Sequence, residues 1–271
     1  MSELPPMPRT VFKAQEILRD PNSSFEELAK ILETDQAVAA RVLKLANSAY
    51  YGLVGQVSSL QHASVVLGYK TLEELITMAG ASKLLGEKME GYGLGAGDMW
   101  QHSLGVAVGS KIIAGRRNPG LANDAFAAGL IHDAGKLVLE PSVLERAGAF
   151  REFMADGSVS FLQAEKEILG FDHAEIASEL CRAWHVPNAL SKAVRYHHYP
   201  SRSAGDELTC IVHVADAIAM MSGIGTGIDG MLYELEESAT TLLGFQEEDF
   251  GLIMVEMVEA VQKISGEMSA P

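Results

Sequence analysis

The chain has 271 residues, of which 48% are hydrophobic, enough to bury a sizeable core and to exclude a disordered chain. Its formal net charge of -15 repels a nucleic-acid backbone, and the single basic pair Arg116-Arg117 does not offset it, so no DNA partner is expected. No apolar run reaches the length of a membrane span, Met1-Ser2-Glu3-Leu4-Pro5 has neither part of a secretory signal, and Cys181 and Cys210 lack CxxC spacing, so we expect a cytoplasmic protein with two buried thiols.

Pro5, Pro6 and Pro8 make residues 1–9 an extended leader. Thr10 can cap a first helix through about Arg19, with Val11, Ala14, Ile17 and Leu18 on one face, ended by Asp20-Pro21-Asn22. Ser24-Phe25-Glu26-Glu27 is a capping box before Leu28, Ile31 and Leu32. Asp35 opens a helix over Ala37–Ala46, and Gly52 reads as its C′ glycine. Another helix starts at Ser58 or Ser59 and closes at Gly68, with a second capping box at Thr71-Leu72-Glu73-Glu74. Three short helices in a row raise a helix-turn-helix DNA reader, against which the acidic charge argues.

Glycines 86, 91, 93, 95 and 97 mark a loop between two helical lobes. Asp98 caps a helix from Met99 to about Ala114, and after Pro119-Gly120 comes a helix carrying His132-Asp133 inside an apolar run. Further helices are expected over Ser142–Asp156, Phe161–Leu169 (capped by Ser160 and closed by Gly170), His173–Trp184, Asn188–His198 and Glu207–Met221. Gly223 to Gly227 is a loop without a phosphate-loop lysine. Two tail helices follow, about Gly230–Leu243 and Glu247–Ile264. No period-two pattern occurs, so the fold class is all-α.

The polar residues that interrupt apolar faces in the second lobe are His102, His132, Asp133, His173, His197, His198 and Asp216. Histidine and carboxylate are costly to bury unpaired, and both are ligands for Mn, Fe or Zn. If the helices pack as a bundle with these residues inward, they form a metal site with enough ligands for two ions. Neighbours on a helix, His132 and Asp133 point in different directions, which lets the carboxylate bridge. Lys136, one turn beyond His132 on that helix, can meet a phosphate oxygen. His62 stands alone, and His185 and His213 are read as structural.

His102, His132-Asp133 and Asp216 resemble the motif of the HD superfamily of metal-dependent phosphohydrolases. The wider set with His173 and His197-His198 resembles the ligand series of its HD-GYP branch. Leu4-Pro5-Pro6-Met7-Pro8, the run Asp35-Gln36-Ala37-Val38 through Asn47-Ser48-Ala49-Tyr50-Tyr51-Gly52, and Ser58-Ser59-Leu60-Gln61-His62-Ala63 resemble the HDOD domain over roughly residues 4 to 200. That family consists of bacterial signalling proteins with an HD-like helical fold, many of which have lost the ligands and act as interaction modules. The resemblance implies two divalent ions (Fe, Mn, Zn or Ni), one held by His102, His132, Asp133 and Asp216. The other would be held by His173, His197 and His198, with Asp133 bridging and Asp133 and Lys136 catalytic. Tyr199-Pro200-Ser201-Arg202 follows the histidine pair and no Gly-Tyr-Pro appears, so cyclic-di-GMP gains no support.

The expected organisation is an N-terminal helical lobe at 1–88, an HD-like metal-binding lobe at 98–222 and C-terminal helices at 228–268 packing on the same domain. Three functions follow: a metal-dependent phosphohydrolase or phosphodiesterase, a scaffold without turnover, and a redox or oxygen sensor. Expected partners are signalling proteins and a nucleotide or other phosphoester, with no membrane.

Overall fold

A computed structural model describes residues 9–20, 23–228, 232 and 234–269, and the N-terminal leader falls outside them. Among the described residues there is no strand, only an isolated bridge between Met89 and Leu94. The all-α expectation holds. No helix is long and apolar enough to cross a membrane.

The described chain forms two compact units, one of Leu85–Val258 and one of the residues up to Leu84 together with those from Glu259 onward. The second contains α1 (Arg9–Arg19), α2 (Phe25–Glu33), α3 (Gln36–Ala46) and α4 (Leu60–Leu85, its last residue in the other unit). Ser24 and Glu27 form the capping box at α2, and Asp35 caps α3 by accepting from Val38 N. Buried Leu28, Leu32, Val38, Val42, Leu45, Leu72, Leu75 and Ile76 make its core.

Two local expectations fail here. Gly52 is not the C′ residue of α3, because that helix already ends at Asn47; Gly52 sits beyond it at φ +58°. The Asn47 amide closes the helix instead, donating to Leu43 O and Val57 O and accepting from Val57 N. Thr71-Leu72-Glu73-Glu74 is not a cap either. Gly68 (φ 79°, ψ 165°) breaks α4, and the helix resumes at once, which leaves Thr71 in its interior.

The Leu85–Val258 unit contains α5 (Asp98–Arg117), α6 (Ala122–Ile131), α7 (Gly135–Glu145), α8 (Ala147–Phe153), α9 (Phe161–Leu169), α10 (His173–Ala183), α11 (Asn188–Tyr196), α12 (Glu207–Met221), α13 (Glu237–Leu243) and the first half of α14 (Glu247–Ser269). Helices α5, α6, α11 and α12 pack on one another around Val106, Ile113, Ala125, Ala128, Ala193, Ile211, Val214 and Ile218. Ser160 and Gln163 form the capping box at α9, and Gly170 ends it at φ +87°. Cys181 and Cys210 are both free and buried.

The single helix expected over Ser142–Asp156 is two. Helix α7 runs through Pro141 at the loss of one backbone hydrogen bond, and Arg146 (φ -103°, ψ 17°) separates it from α8. The tail helix expected from Gly230 begins at Glu237, after Glu236 in extended geometry; residues 229–231 and 233 lie outside the described set. Asp98 is the first residue of α5 and not its cap. Gly97 is the cap, and the Asp98 carboxylate accepts from Gly95 N at 2.7 Å.

Candidate metal centre

All seven candidate ligands lie in the Leu85–Val258 unit and point into one centre. His102 comes from the second turn of α5, His173 from the first residue of α10 and Asp216 from the middle of α12. The remaining four occupy turns. His132-Asp133-Ala134 is the corner between α6 and α7, closed by Ala134 N to Ile131 O and Lys136 N to Asp133 O. His197-His198 is the corner after α11. This corrects the sequence reading, which put both doublets inside helices. At a corner, adjacent side chains need not splay by 100°: His132 Nε2 and Asp133 Oδ2 are 3.4 Å apart, and the His197 and His198 rings are 4.0 Å centroid to centroid.

The imidazoles of His102, His132, His173 and His197 have Nδ1 placed by a second group, which turns Nε2 inward. His102 Nδ1 meets Ile224 O at 3.2 Å, His132 Nδ1 meets Gly129 O at 2.7 Å, and His197 Nδ1 meets Val194 O at 2.7 Å. A carbonyl only accepts, so these Nδ1 atoms carry the protons and each Nε2 presents a lone pair. His173 Nδ1 meets the Glu165 carboxylate at 2.7 Å. This is the outer-sphere pattern of metal-ligating histidines.

Asp133 stands between two sets of nitrogens. Its Oδ2 is 3.4 Å from His132 Nε2 and 3.8 Å from His102 Nε2. Its Oδ1 is 3.2 Å from His173 Nε2 and 3.8 Å from His197 Nε2. Asp216 Oδ1 completes the first set, 3.0 Å from His102 and 3.8 Å from His132. His198 completes the second, its Nε2 2.8 Å from that of His173. Lys136, on α7 and almost fully buried, puts Nζ 2.5 Å from Asp133 Oδ2.

Three residues not anticipated from sequence hold the centre in place. Glu165, fully buried on α9, accepts from His173 N at 2.9 Å, meets its ring, and accepts from Tyr92 OH at 2.6 Å. Its signal was legible: it follows Phe161 by one turn on an apolar face. Gly225 is the second, in the stretch read only as a loop. At φ +55°, a Cβ there would lie 2.1 Å from Asp98 O and 2.9 Å from His102 N, so glycine lets the loop press on α5 and bring Ile224 O to His102. Gly135 is the third; a Cβ would lie 2.0 Å from His173 O, so α7 and α10 touch backbone to backbone beside Asp133. His213 is structural, its Nδ1 donating to His197 O and its Nε2 accepting from Glu236 N. His62 and His185 are exposed.

The electrostatics ask for more positive charge. Burial pushes the His102 ring down, and the Asp216 carboxylate outweighs it and raises it. Burial likewise opposes protonation of His173, yet Glu165 and Asp133 lift it to about 10. His197 is pushed down to about 3 by burial and by its neighbour His132, and His198 falls well below its ordinary value, through burial first and His197 second. Asp133 and Asp216 are held well below the carboxylate range; burial opposes this, but His132 and Lys136 outweigh it at Asp133, and His102 and His132 at Asp216. Among the described residues, Lys136 is the one buried permanent cation beside the buried carboxylates Asp133, Asp216 and Glu165. Among the described residues, Nε2 of His102, His132 and His197, Oδ1 of Asp133 and both Asp216 oxygens are buried with no hydrogen bond of good geometry.

These orphaned donors fit divalent metal. Two ligand atoms about 2.1 Å from one ion lie roughly 3.0–3.4 Å apart; the pairs given above lie 2.8 to 3.8 Å apart, and all ligand atoms of each group within 4.8 Å. The Asp133–His173–His197–His198 and His102–His132–Asp133 groups share Asp133. The donor set, imidazole and carboxylate without thiolate, suits Mn, Fe, Zn or Ni.

A cleft of about 200 Å³ reaches the centre. Asp133, Lys136, His173, His198 and Asp216 lie along it, as do Tyr199, Glu234 and Glu236. The centre is therefore buried but accessible from one side.

The model of the HDOD domain matches residues 4–200 of this chain. The chain belongs to the HDOD family. Among solved HDOD-like structures, a Geobacter sulfurreducens HDOD domain protein is 27% identical, with a TM-score of 0.75 over 97% of this chain and 93% of that one. A Shewanella amazonensis SB2B protein named "Putative phosphohydrolase" is 25% identical, with a TM-score of 0.77 over 98% and 96%. A Treponema pallidum (strain Nichols) protein is 22% identical over 201 residues. This HDOD chain matches through 73% of its own length and only 38% of that relative's.

Proposed function

We propose that this HDOD protein is a metal-dependent phosphohydrolase that serves signal transduction, with a dinuclear centre as its working part. His102, His132, Asp133 and Asp216 would hold one divalent ion and His173, His197 and His198 the other, with Asp133 shared. When bound, such ions polarise a phosphoryl group and make a water nucleophilic at neutral pH. The observation that carries this reading is that the shared carboxylate, Asp133, lies on the floor of an open cleft with Lys136 beside it.

The chain's own residues have the remaining tasks. Glu165 and the carbonyls of Gly129, Val194 and Ile224 hold the imidazoles in the ligating tautomer. Lys136 pairs with Asp133, and with divalent ions on that carboxylate its ammonium would be available to a phosphate oxygen. The Shewanella relative's name supports the same reaction class.

The test is phosphate release from p-nitrophenyl phosphate and bis(p-nitrophenyl) phosphate by protein loaded with Mn, Fe, Zn or Ni. Metal-dependent turnover, abolished by Asp133→Asn and reduced by Lys136→Met, is expected. A fully metallated protein that hydrolyses neither would overturn the phosphohydrolase reading and leave a metal-holding signalling module without turnover.

A further inference from the structure

Resting on that phosphohydrolase reading, we infer that the cleft takes a small phosphoester whose alcohol carries a cationic amine. With divalent ions on the candidate ligands, the charges along the cleft would be opposed in sign from floor to mouth. Among the described residues, the charged groups lining it other than the candidate ligands are Lys136 on the floor and Glu234 and Glu236 at the mouth. With divalent ions held by the candidate ligands the floor would attract a phosphate; without them Asp133 and Asp216 outweigh Lys136. The mouth repels anions and attracts a cation.

Glu236 is a fixed charge. Its carboxylate accepts from Ser201 N at 2.9 Å, Ser201 Oγ at 3.1 Å and Ser238 Oγ at 3.1 Å. Its backbone N–H donates to His213, which donates in turn to His197 O, so the mouth is tied to the metal-side turn. Glu234 is exposed. The volume, about 200 Å³, is below the ~300–1,000 Å³ of sites for drug-sized ligands. A polyanionic nucleotide is disfavoured by size, by both glutamates and by a net charge of -15. A zwitterion such as an aminoalkyl phosphate matches both ends.

In the reaction, the oxygen of a water bonds to phosphorus and the bond from phosphorus to the alcohol oxygen breaks. A water proton passes to the leaving alkoxide, giving inorganic phosphate and the free amino alcohol. No oxidant or reductant is needed.

The test compares 2-aminoethylphosphonate with propylphosphonate, of similar size and without the amine, by calorimetric titration of the metal-loaded protein. The P–C bond resists hydrolysis, so binding is read apart from turnover. Binding about tenfold tighter for the amine is expected, as is near parity in Glu234→Lys. In parallel, kcat/KM for phosphoethanolamine should exceed that for glycerol 3-phosphate. If both phosphonates bind equally while p-nitrophenyl phosphate is hydrolysed, the substrate class is wrong and the phosphohydrolase reading stands. If neither phosphonate binds and no ester is cleaved, both fall together.

Discussion

Asp133 is the residue on which the centre turns. Each of its oxygens faces a different group of nitrogens, so Asp133→Asn should cost both ions while the fold survives, because the amide replaces one buried polar group with another of the same shape. Glu165 acts one step out. Glu165→Gln keeps the shape but loses the charge on His173, and metal affinity should fall ~10–100-fold in a competitive chelator titration. Protons compete at the same atoms. Folded, metal-free protein holds a proton on His173 up to about pH 10, against an ordinary 6.5. That group's contribution to stability is complete below pH 6.5 and is lost as pH rises toward 10. His197 behaves oppositely: its pKa falls to about 3, so its contribution is present above 6.5 and is lost as pH falls toward 3. Metal must displace the His173 proton, so apparent affinity should rise with pH from 6.5 to 9, and binding should release protons measurable by calorimetry in buffers of different ionisation enthalpy. A pH-independent affinity would remove His173 from the ligand set. The candidate residues were legible because each was a polar interruption of an apolar face. Glu165 carries the same mark, on a short helix. Tyr92 was hidden in a glycine-rich stretch whose composition says loop, and nothing local says that its hydroxyl reaches Glu165.

At the scale of elements, the centre is a meeting of corners and helix ends. Helices α5 and α12 supply His102 and Asp216 from their interiors, and the α6–α7 and post-α11 corners supply the two doublets. Backbone contact at Gly135 sets how closely α10 approaches the first corner. Gly135→Ala should cost about 1–3 kcal/mol in urea denaturation, because a methyl there meets backbone and not a flexible side chain. Gly225→Ala should act on the site more than on the fold. It pushes the loop off Asp98 and takes Ile224 O from His102, so metal content should drop at temperatures where the protein remains folded. Some helix limits set by capping chemistry were legible from sequence: Ser24 with Glu27, Asp35 and Ser160 act as read, whereas Thr71 and Asp98 do not. Limits set by packing were not. Hydrophobic periodicity runs straight through His132-Asp133, where the chain turns a corner with His132 and Ala134 still at helical dihedrals. The helix expected to start at Ser142 is instead the end of α7, which passes through Pro141.

At the scale of the whole molecule, a buried, negatively biased site set in a protein of net charge -15 is stabilised by whatever cation fills it. Metal that binds the folded chain alone, at a hundred times its Kd, adds about 2.7 kcal/mol. Chelation should therefore lower Tm by roughly 5–10 °C, and re-addition of metal should restore it. No change in Tm on loading and stripping would mean that the cluster is filled by protons. The all-α class and the family were readable from periodicity and from the residues around Asn47 and His132. The sign of the cleft mouth was not, because Glu234 and Glu236 come from a segment after α12 with no pattern of its own, and only the fold brings them over Asp133.

The most direct test of the account is elemental analysis of the protein as purified, beside Asp133→Ala. Near two equivalents of Fe, Mn, Zn or Ni per chain, lost in the variant with the helical signal unchanged, is the predicted result. A folded wild type that holds no metal even after loading with Mn and Fe would contradict it, and the His/Asp cluster would then be a proton-filled polar core.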